Sequence, residues 1–522
     1  MSMTSGFGTI DWVVVAVYLL GNAALGWYLS KRGARSARDY FLADGQMPGW
    51  LIAFSVLATT QSAATFLGGP DYGYRADYTY LAGSLGAVLS SIVVAVVLLP
   101  RFYALKVTTV YELLDQRYGK LALGSTSAMY LVGRIFANGA RLFMAALAVA
   151  MILFLRTDFL AIALATTVIV ILGLALSLMG GLRSVIASDA VQLVVYAGTA
   201  VVVLVVLYMR LDLEFAEVLA ALDAPPSGPS KLTVFDFSFA LDDPFTIPAA
   251  FTGLMLLNIG NFGLDQDTTQ RLLAAKSSRH AGWALFWSAI AALPIIFVFL
   301  SIGQLLHIFF ERGDLTGIAA PDADLNSVTI FMHYILTELP DGLRGLCGAA
   351  IVAAAVSTLT SGLSSMSSVV VSDFYKPWAG PISDERTVFA GRVTMVAIAI
   401  ILGVMALVCF YWQRASDLPL LEFALQVMVF AYAGLLGVFA AAVFTSRGSE
   451  VSIVWALIVG FVATVLGETS VGGAVGVPEG VTSLAFTWKL LIGSALAFLV
   501  AVIGSSKRTV ILSQTREQVA AT

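Results

Sequence analysis

The chain of 522 residues is 59% hydrophobic and only 12% charged, with a mean hydropathy of +0.89. Soluble domains carry about 25% charged residues, so a water-exposed fold of this length lacks the polar surface it needs, and lipid is the solvent for most of the chain. The net charge of −4, without a basic face or tail, points away from nucleic acid.

A helical span needs roughly 20 apolar residues. Thirteen segments qualify: 9–30, 49–74, 80–102, 123–155, 159–179, 186–209, 245–274, 281–307, 328–372, 388–411, 419–445, 451–467 and 487–505. The expectation is an all-α integral membrane protein, a single domain over 1–522 with thirteen transmembrane helices. The first apolar run, Ile10 to Ser30, lacks a signal-peptide pattern and is expected to stay in the mature protein. The ranges 123–155 and 328–372 exceed one plain span, which predicts tilt or helices running past the bilayer. The longest polar stretch, from Leu211 to Asp243, holds Pro225, Pro226 and Pro229 and is expected to be an irregular acidic loop.

Sorting the 29 Lys and Arg residues along these spans puts nineteen on one side, including Lys31, Arg32, Arg35, Arg38, Lys507, Arg508 and Arg516, eight on the other, and two, Arg134 and Arg141, within a span. The positive-inside rule then predicts a multi-pass cell (inner) membrane protein with its N-terminus outside and a cytoplasmic tail at 506–522. Cys347 and Cys409 sit in apolar runs and read as core residues. His280, His307 and His333 share no metal-ligand spacing.

Two spans carry polar and small residues at mid-depth. The second holds Thr59, Thr60, Gln61, Ser62 and Thr65; the seventh holds Asn258, Gly260, Asn261 and Gly263. A break there frees backbone groups that lipid cannot satisfy, so it survives only around a cavity or ligand. Two such segments five spans apart point to a transporter site built on inverted repeats; ordinary helix packing by small residues is the alternative. The ninth span contains Ser357, Thr358, Thr360 and Ser361 among eight hydroxyls. Hydroxyls and freed carbonyls suit a monovalent cation such as Na⁺, although several will bond back to their own helix.

Ionisable residues in spans are functional by default. Asp189 reads either as a helix cap or as an anionic cation ligand. Arg134 and Arg141 lie seven apart on one face of the fourth span. A guanidinium there suits a carboxylate solute, and one of the pair has room for a structural role. Gln426 in the eleventh span is, like Arg141, a residue for substrate or structure.

Three stretches then become recognisable: Ala37 to Ala43, Pro48 to Ile52 and Ala58 to Gly68. With Ser188 to Gln192, Asp265 to Lys276 and Ser372 to Tyr375, they resemble the sodium:solute symporter family over nearly the whole chain. The resemblance implies a LeuT-type core of two inverted five-helix repeats, 49–209 and 245–445, plus peripheral helices at 9–30 and within 451–505. It implies a common sodium site from the carbonyls of Ala58, Gln61 and Ala354 and the hydroxyls of Ser357 and Thr358. A second sodium site, found in part of the family, would use Asp189, Ser357, Thr360 and Ser361. Thr60, Ser62, Thr65, Tyr80 and Arg134 resemble solute contacts of the branch that carries sialic acid, while Ser84 replaces an expected Gln. Asn258 and Asn261 fall where sugar-carrying relatives place polar contacts, and Gly139 to Phe143 resembles the proline and pantothenate branches.

The expected function is sodium-coupled import of a small polar solute by alternating access, with Na⁺ as coupling ion, no organic cofactor and a monomer as the working unit. No enzyme is expected, since neither paired intramembrane acids nor a histidine cluster is apparent. A transporter-like sensor, or a passive channel, is the reading from another class.

Overall fold

The long apolar segments are hydrophobic around most of their circumference, and in lipid such a chain satisfies its backbone only by coiling. The computed structural model describes residues 6–30, 36–179, 181–226, 228–317, 327–416 and 418–505. Lys31, Arg32, Arg35, Gly180, Lys507, Arg508, Arg516 and the tail 506–522 lie outside the described residues. Among the described residues the only β pairing is two isolated bridges, Met47 with Ala275 and Arg447 with Ser505.

In chain order the main helices are α1 (Thr9–Ser30), α2 (Gly49–Thr60), α3 (Ala63–Arg75), α4 (Thr79–Leu105), α5 (Lys120–Phe154), α6 (Phe159–Met179), α7 (Leu182–Leu211), α8 (Ile247–Leu264), α9 (Gln266–Leu273), α10 (Ser278–Glu311), α11 (Leu343–Ala379), α12 (Asp384–Ser416), α13 (Leu420–Phe444), α14 (Glu450–Leu466) and α15 (Phe486–Ala501). Among the described residues, ten helices are long and apolar enough to cross a membrane. The bent α2–α3 pair is long and apolar enough to make one further crossing if it counts as a single span, and α14 and α15 are shorter apolar helices.

The core is built where small residues let backbones touch. A Cβ on Gly303 of α10 would meet the Pro70 carbonyl of α3 at 2.2 Å, and one on Gly73 would meet the Leu300 carbonyl at 2.3 Å. α5 packs against α11, α12 and α13 at the centre, while α1 lies outside, against α7 and α11.

The second span breaks where its polar run predicts. α2 and α3 meet at 60°. Gln61 and Ser62 are extended at the joint, and the Ser62 hydroxyl caps α3 by accepting from the Ala64 amide at 3.2 Å. The helical ladder stops at Gln61 donating to the Leu57 carbonyl and resumes with Thr65 and Phe66 donating to Ser62. The seventh span breaks later than its Asn and Gly residues predict. Gly260–Leu264 is a π-helical turn, and the extended residue is Asp265, which caps α9 by accepting from the Asp267 amide at 2.9 Å.

Two further expectations change. The 328–372 range is a helix over Ser327–Glu338 followed by α11, parted by a turn with Gly342 at φ +85°. The polar stretch after Leu211 is not wholly irregular: Phe215–Asp223 is helical, started by a Glu214–Glu217 capping box.

Candidate solute and cation sites

The α2–α3 break, the helix after it, and α8 face one another across a cavity of about 130 Å³. Its wall brings together Thr60, Ser62, Thr65, Tyr80, Ser84, Asn258 and Asn261 from the sequence reading, with Arg141 and Ser288. Phe245, Phe262 and Leu421 supply apolar surface. The Ser84 hydroxyl is buried without a partner.

The two arginines of α5 part company. Seven residues of helix carry them roughly 10 Å apart along one face. Arg134 does not line the cavity. It is 2% exposed and donates to Asp265 Oδ2 at 2.8 Å and to Asp267 Oδ2. Arg141 does line the cavity, and the only hydrogen bond it makes among the described residues goes to the Met428 sulfur at 3.5 Å. A thioether is a weak acceptor, so this buried guanidinium keeps most of its donors for something else.

Gln426 lies apart as well. It donates to Glu468 and lines a different cavity, of about 460 Å³, with Glu422 and Lys489.

Behind the α2–α3 break, Ala58, Gln61, Ala354 and Ser357 surround a much smaller cavity with Gln192, Leu193 and Tyr196. Its volume of about 10 Å³ suits one water or one bare cation. Gln61 Oε1 and Gln192 Oε1 on its wall are buried and unpartnered, and so is Thr358 Oγ1, although Thr358 does not line this cavity. Buried oxygens left unmatched in this number need an explanation, and a hard cation is the ligand whose chemistry fits an all-oxygen set.

Asp189 is no cap: α7 begins at Leu182 with Gly181 as its N-cap, and Asp189 lies two turns inside. It accepts from Ser55 Oγ at 2.5 Å, Ser357 Oγ at 2.8 Å and Arg271 Nη2 at 3.1 Å. Arg271 also donates to Ser361 Oγ and to Asp267 Oδ1, the latter at 2.9 Å. Thr360 turns away and donates to the Ser357 carbonyl at 3.1 Å. Asp189, Ser357 and Ser361 thus meet, with an arginine in their midst.

These contacts form one buried chain: Asp189, Arg271, Asp267, Arg134, Asp265, then Tyr432 donating to Asp265 at 2.5 Å. Against the expectation that no acids pair within the apolar segments, Asp265 and Asp267 form a buried pair at the end of α8, at 0% and 2% exposure. The signal in the sequence is the Asp267–Arg271 spacing of four, which puts an acid and a base on one helical face. Among the described residues no group of His, Cys, Asp or Glu could hold a metal ion by itself.

Residues 40–460 match the sodium:solute symporter family. The sodium/sialic acid symporter SiaT of Proteus mirabilis is 29% identical over 467 residues, which cover 88% of this chain and 89% of that protein. The sodium/sialic acid symporter NanT of Aliivibrio fischeri is 30% identical over 418 residues, 79% of each chain. A solved structure of a Na⁺-coupled sialic acid symporter, substrate-bound and outward-open, superposes with a TM-score of 0.82 at 26% identity, covering 96% of this chain and 100% of that one. The all-helical, many-spanning fold, the broken helices around a polar cavity and the extent of these matches agree: the chain belongs to the sodium:solute symporter family and couples solute import to sodium.

Proposed function

We propose that the solute is a hydroxylated carboxylate, a sialic acid or another sugar acid. The observation that carries this reading is Arg141: a buried guanidinium on the cavity wall whose protein partner is a thioether. A carboxylate is the group that saturates such a fork. Thr60, Ser62, Thr65, Ser84, Asn258 and Asn261 offer partners for solute hydroxyls. The two amides also support a second reading, a neutral sugar, in which Arg141 would stay unsaturated.

Sodium binds in this reading at Ala58, Gln61, Ala354, Ser357 and Thr358. The chain Asp189–Arg271–Asp267–Arg134–Asp265 has three carboxylates against two guanidiniums. A second sodium near Asp189 and Ser361 supplies the missing positive charge, which a buried cluster needs. Ser357, bonded to Asp189, borders both places and links them.

Transport follows from geometry. Sodium bound between α2 and α11 orders the α2–α3 break, whose other face holds the solute, so each favours the conformation that the other needs. The spans number thirteen, with α2 to α13 as two inverted repeats, each opening with a broken helix. The N-terminus lies outside, and the unit is one chain acting as a carrier, not an enzyme, sensor or channel.

A thermal-shift screen of sugar acids, neutral sugars, amino acids and monocarboxylates, each with and without sodium, tests the reading. A sugar acid that raises the melting temperature only with sodium present is expected. Stabilisation by a neutral sugar alone would move the assignment to the second reading.

A further inference from the structure

Gln192 lies on α7, one turn beyond Asp189, and is 3% exposed. It lines the small cavity with Ala58, Gln61, Ala354 and Ser357. The two ends of its amide are unequal. Nε2 donates to Ser188 Oγ at 3.1 Å, while Oε1 is buried and unpartnered.

Proton counting explains the orientation. A serine hydroxyl has one proton to give. Ser188 gives it to Asn22 Oδ1 at 2.6 Å, so towards Gln192 it can only accept. Gln192 must then turn its NH₂ to Ser188, which leaves Oε1 as the free end of an amide that lines the cavity. Asn22, 4% exposed on α1, is held in turn by donating Nδ2 to the Tyr18 hydroxyl at 3.5 Å. Were Asn22 reversed or absent, Ser188 would be free to donate to Gln192, and the cavity would face an NH₂, which repels a cation.

The same outer helix also holds the start of the helix that carries the other side of the site. Asp11 of α1, 0% exposed, accepts from the Gly342 and Gly345 amides at 2.7 and 2.8 Å. These amides open α11, the helix that carries Ser357 and Thr358.

We infer that α1, although outside the central helices, sets the affinity of the coupling-cation site. Gln192 presents its carbonyl oxygen to the cation, and Asn22 and Ser188 are positioning residues that fix which end of the amide faces it. The inference rests on the sodium-site reading above.

The test is a sodium titration of melting temperature on purified full-length protein, with choline as balancing cation and no solute, run beside sodium-dependent uptake. Outer partners of metal ligands are worth 10- to 100-fold in affinity. Asn22→Leu and Ser188→Ala are each expected to raise the half-saturating sodium concentration at least tenfold in both assays, while Ser188→Thr stays near wild type. Leu20→Ala, on the lipid face of α1 at 70% exposure, serves as control. A purely structural role for α1 would lower every melting temperature without moving the sodium midpoint. Midpoints within twofold of wild type for Ser188→Ala and Asn22→Leu would overturn the inference. A wild-type protein that sodium does not stabilise would instead overturn the site reading beneath it.

Discussion

At the scale of single residues, α5 places two arginines seven positions apart in different surroundings, one paired with acids and one on the cavity wall. Arg141→Met is expected to leave a folded protein that sugar acids no longer stabilise, because it removes the solute's counter-charge and touches no carboxylate. Arg134→Met is expected to fail differently. It strands Asp265 and Asp267, and breaking a buried pair from one side costs about 3–5 kcal/mol. Its signature is a lower melting temperature and poor recovery from the membrane. Equal stability losses for the two variants would contradict the division. For sodium, Ser357→Ala with Thr358→Ala should abolish sodium-driven uptake in a protein that still inserts, and unchanged uptake would remove these hydroxyls from the site. What the sequence could reach here followed from chemistry along one helix. The hydroxyls of 357–361 and the arginines of α5 were visible as polar residues in apolar surroundings. Which arginine lines the cavity was not, because the acids that occupy Arg134 arrive from the start of α9, 131 and 133 positions later.

At the scale of elements, the architecture depends on breaks and close crossings. The α2–α3 joint was legible because Gln61 and Ser62 sit in a run of small polar residues. The α8–α9 joint was read a few residues early: the Asn and Gly residues fit within helical turns, one of them a π turn, and the chain bends only where the Asp265 side chain can cap the next helix. Close crossings invite a direct check. Gly303→Leu would drive a side chain into Pro70 and Gly73, and overpacking of a fixed core costs about 1–3 kcal/mol or more. The expected result is a lower melting temperature with or without sodium; an unchanged one would show that α3 and α10 can separate. Beyond the spans, Lys231 fastens the long polar stretch by donating Nζ to the Tyr74 and Ala76 carbonyls, each at 2.9 Å. Burial pushes its ammonium down from 10.5 to about 8. Between those values the folded chain has released a proton that the unfolded chain retains, so stability rises with pH across that window. Melting temperature should gain between pH 8 and pH 9.5 in the wild type and gain less in Lys231→Met. Parallel pH curves would contradict this.

At the scale of the whole molecule, composition alone placed the chain in lipid, and its polar interruptions line a common cavity. The outer helices were legible only as apolar lengths. What they do depended on partners far away in sequence, as when Asp11 reaches Gly342 and Asn22 reaches Ser188. In the proposed function, sodium moving inward drives a carboxylate solute with it. Each positive charge that enters gains about 2.3 kcal/mol per 100 mV of inside-negative potential. The most direct test is uptake of labelled N-acetylneuraminate into proteoliposomes holding the purified chain, with sodium outside and choline inside. The expected result is accumulation above the external concentration, collapse of that accumulation when choline replaces sodium, and loss of it in Arg141→Met. Uptake that merely equilibrates, or that proceeds equally well in choline, would contradict it.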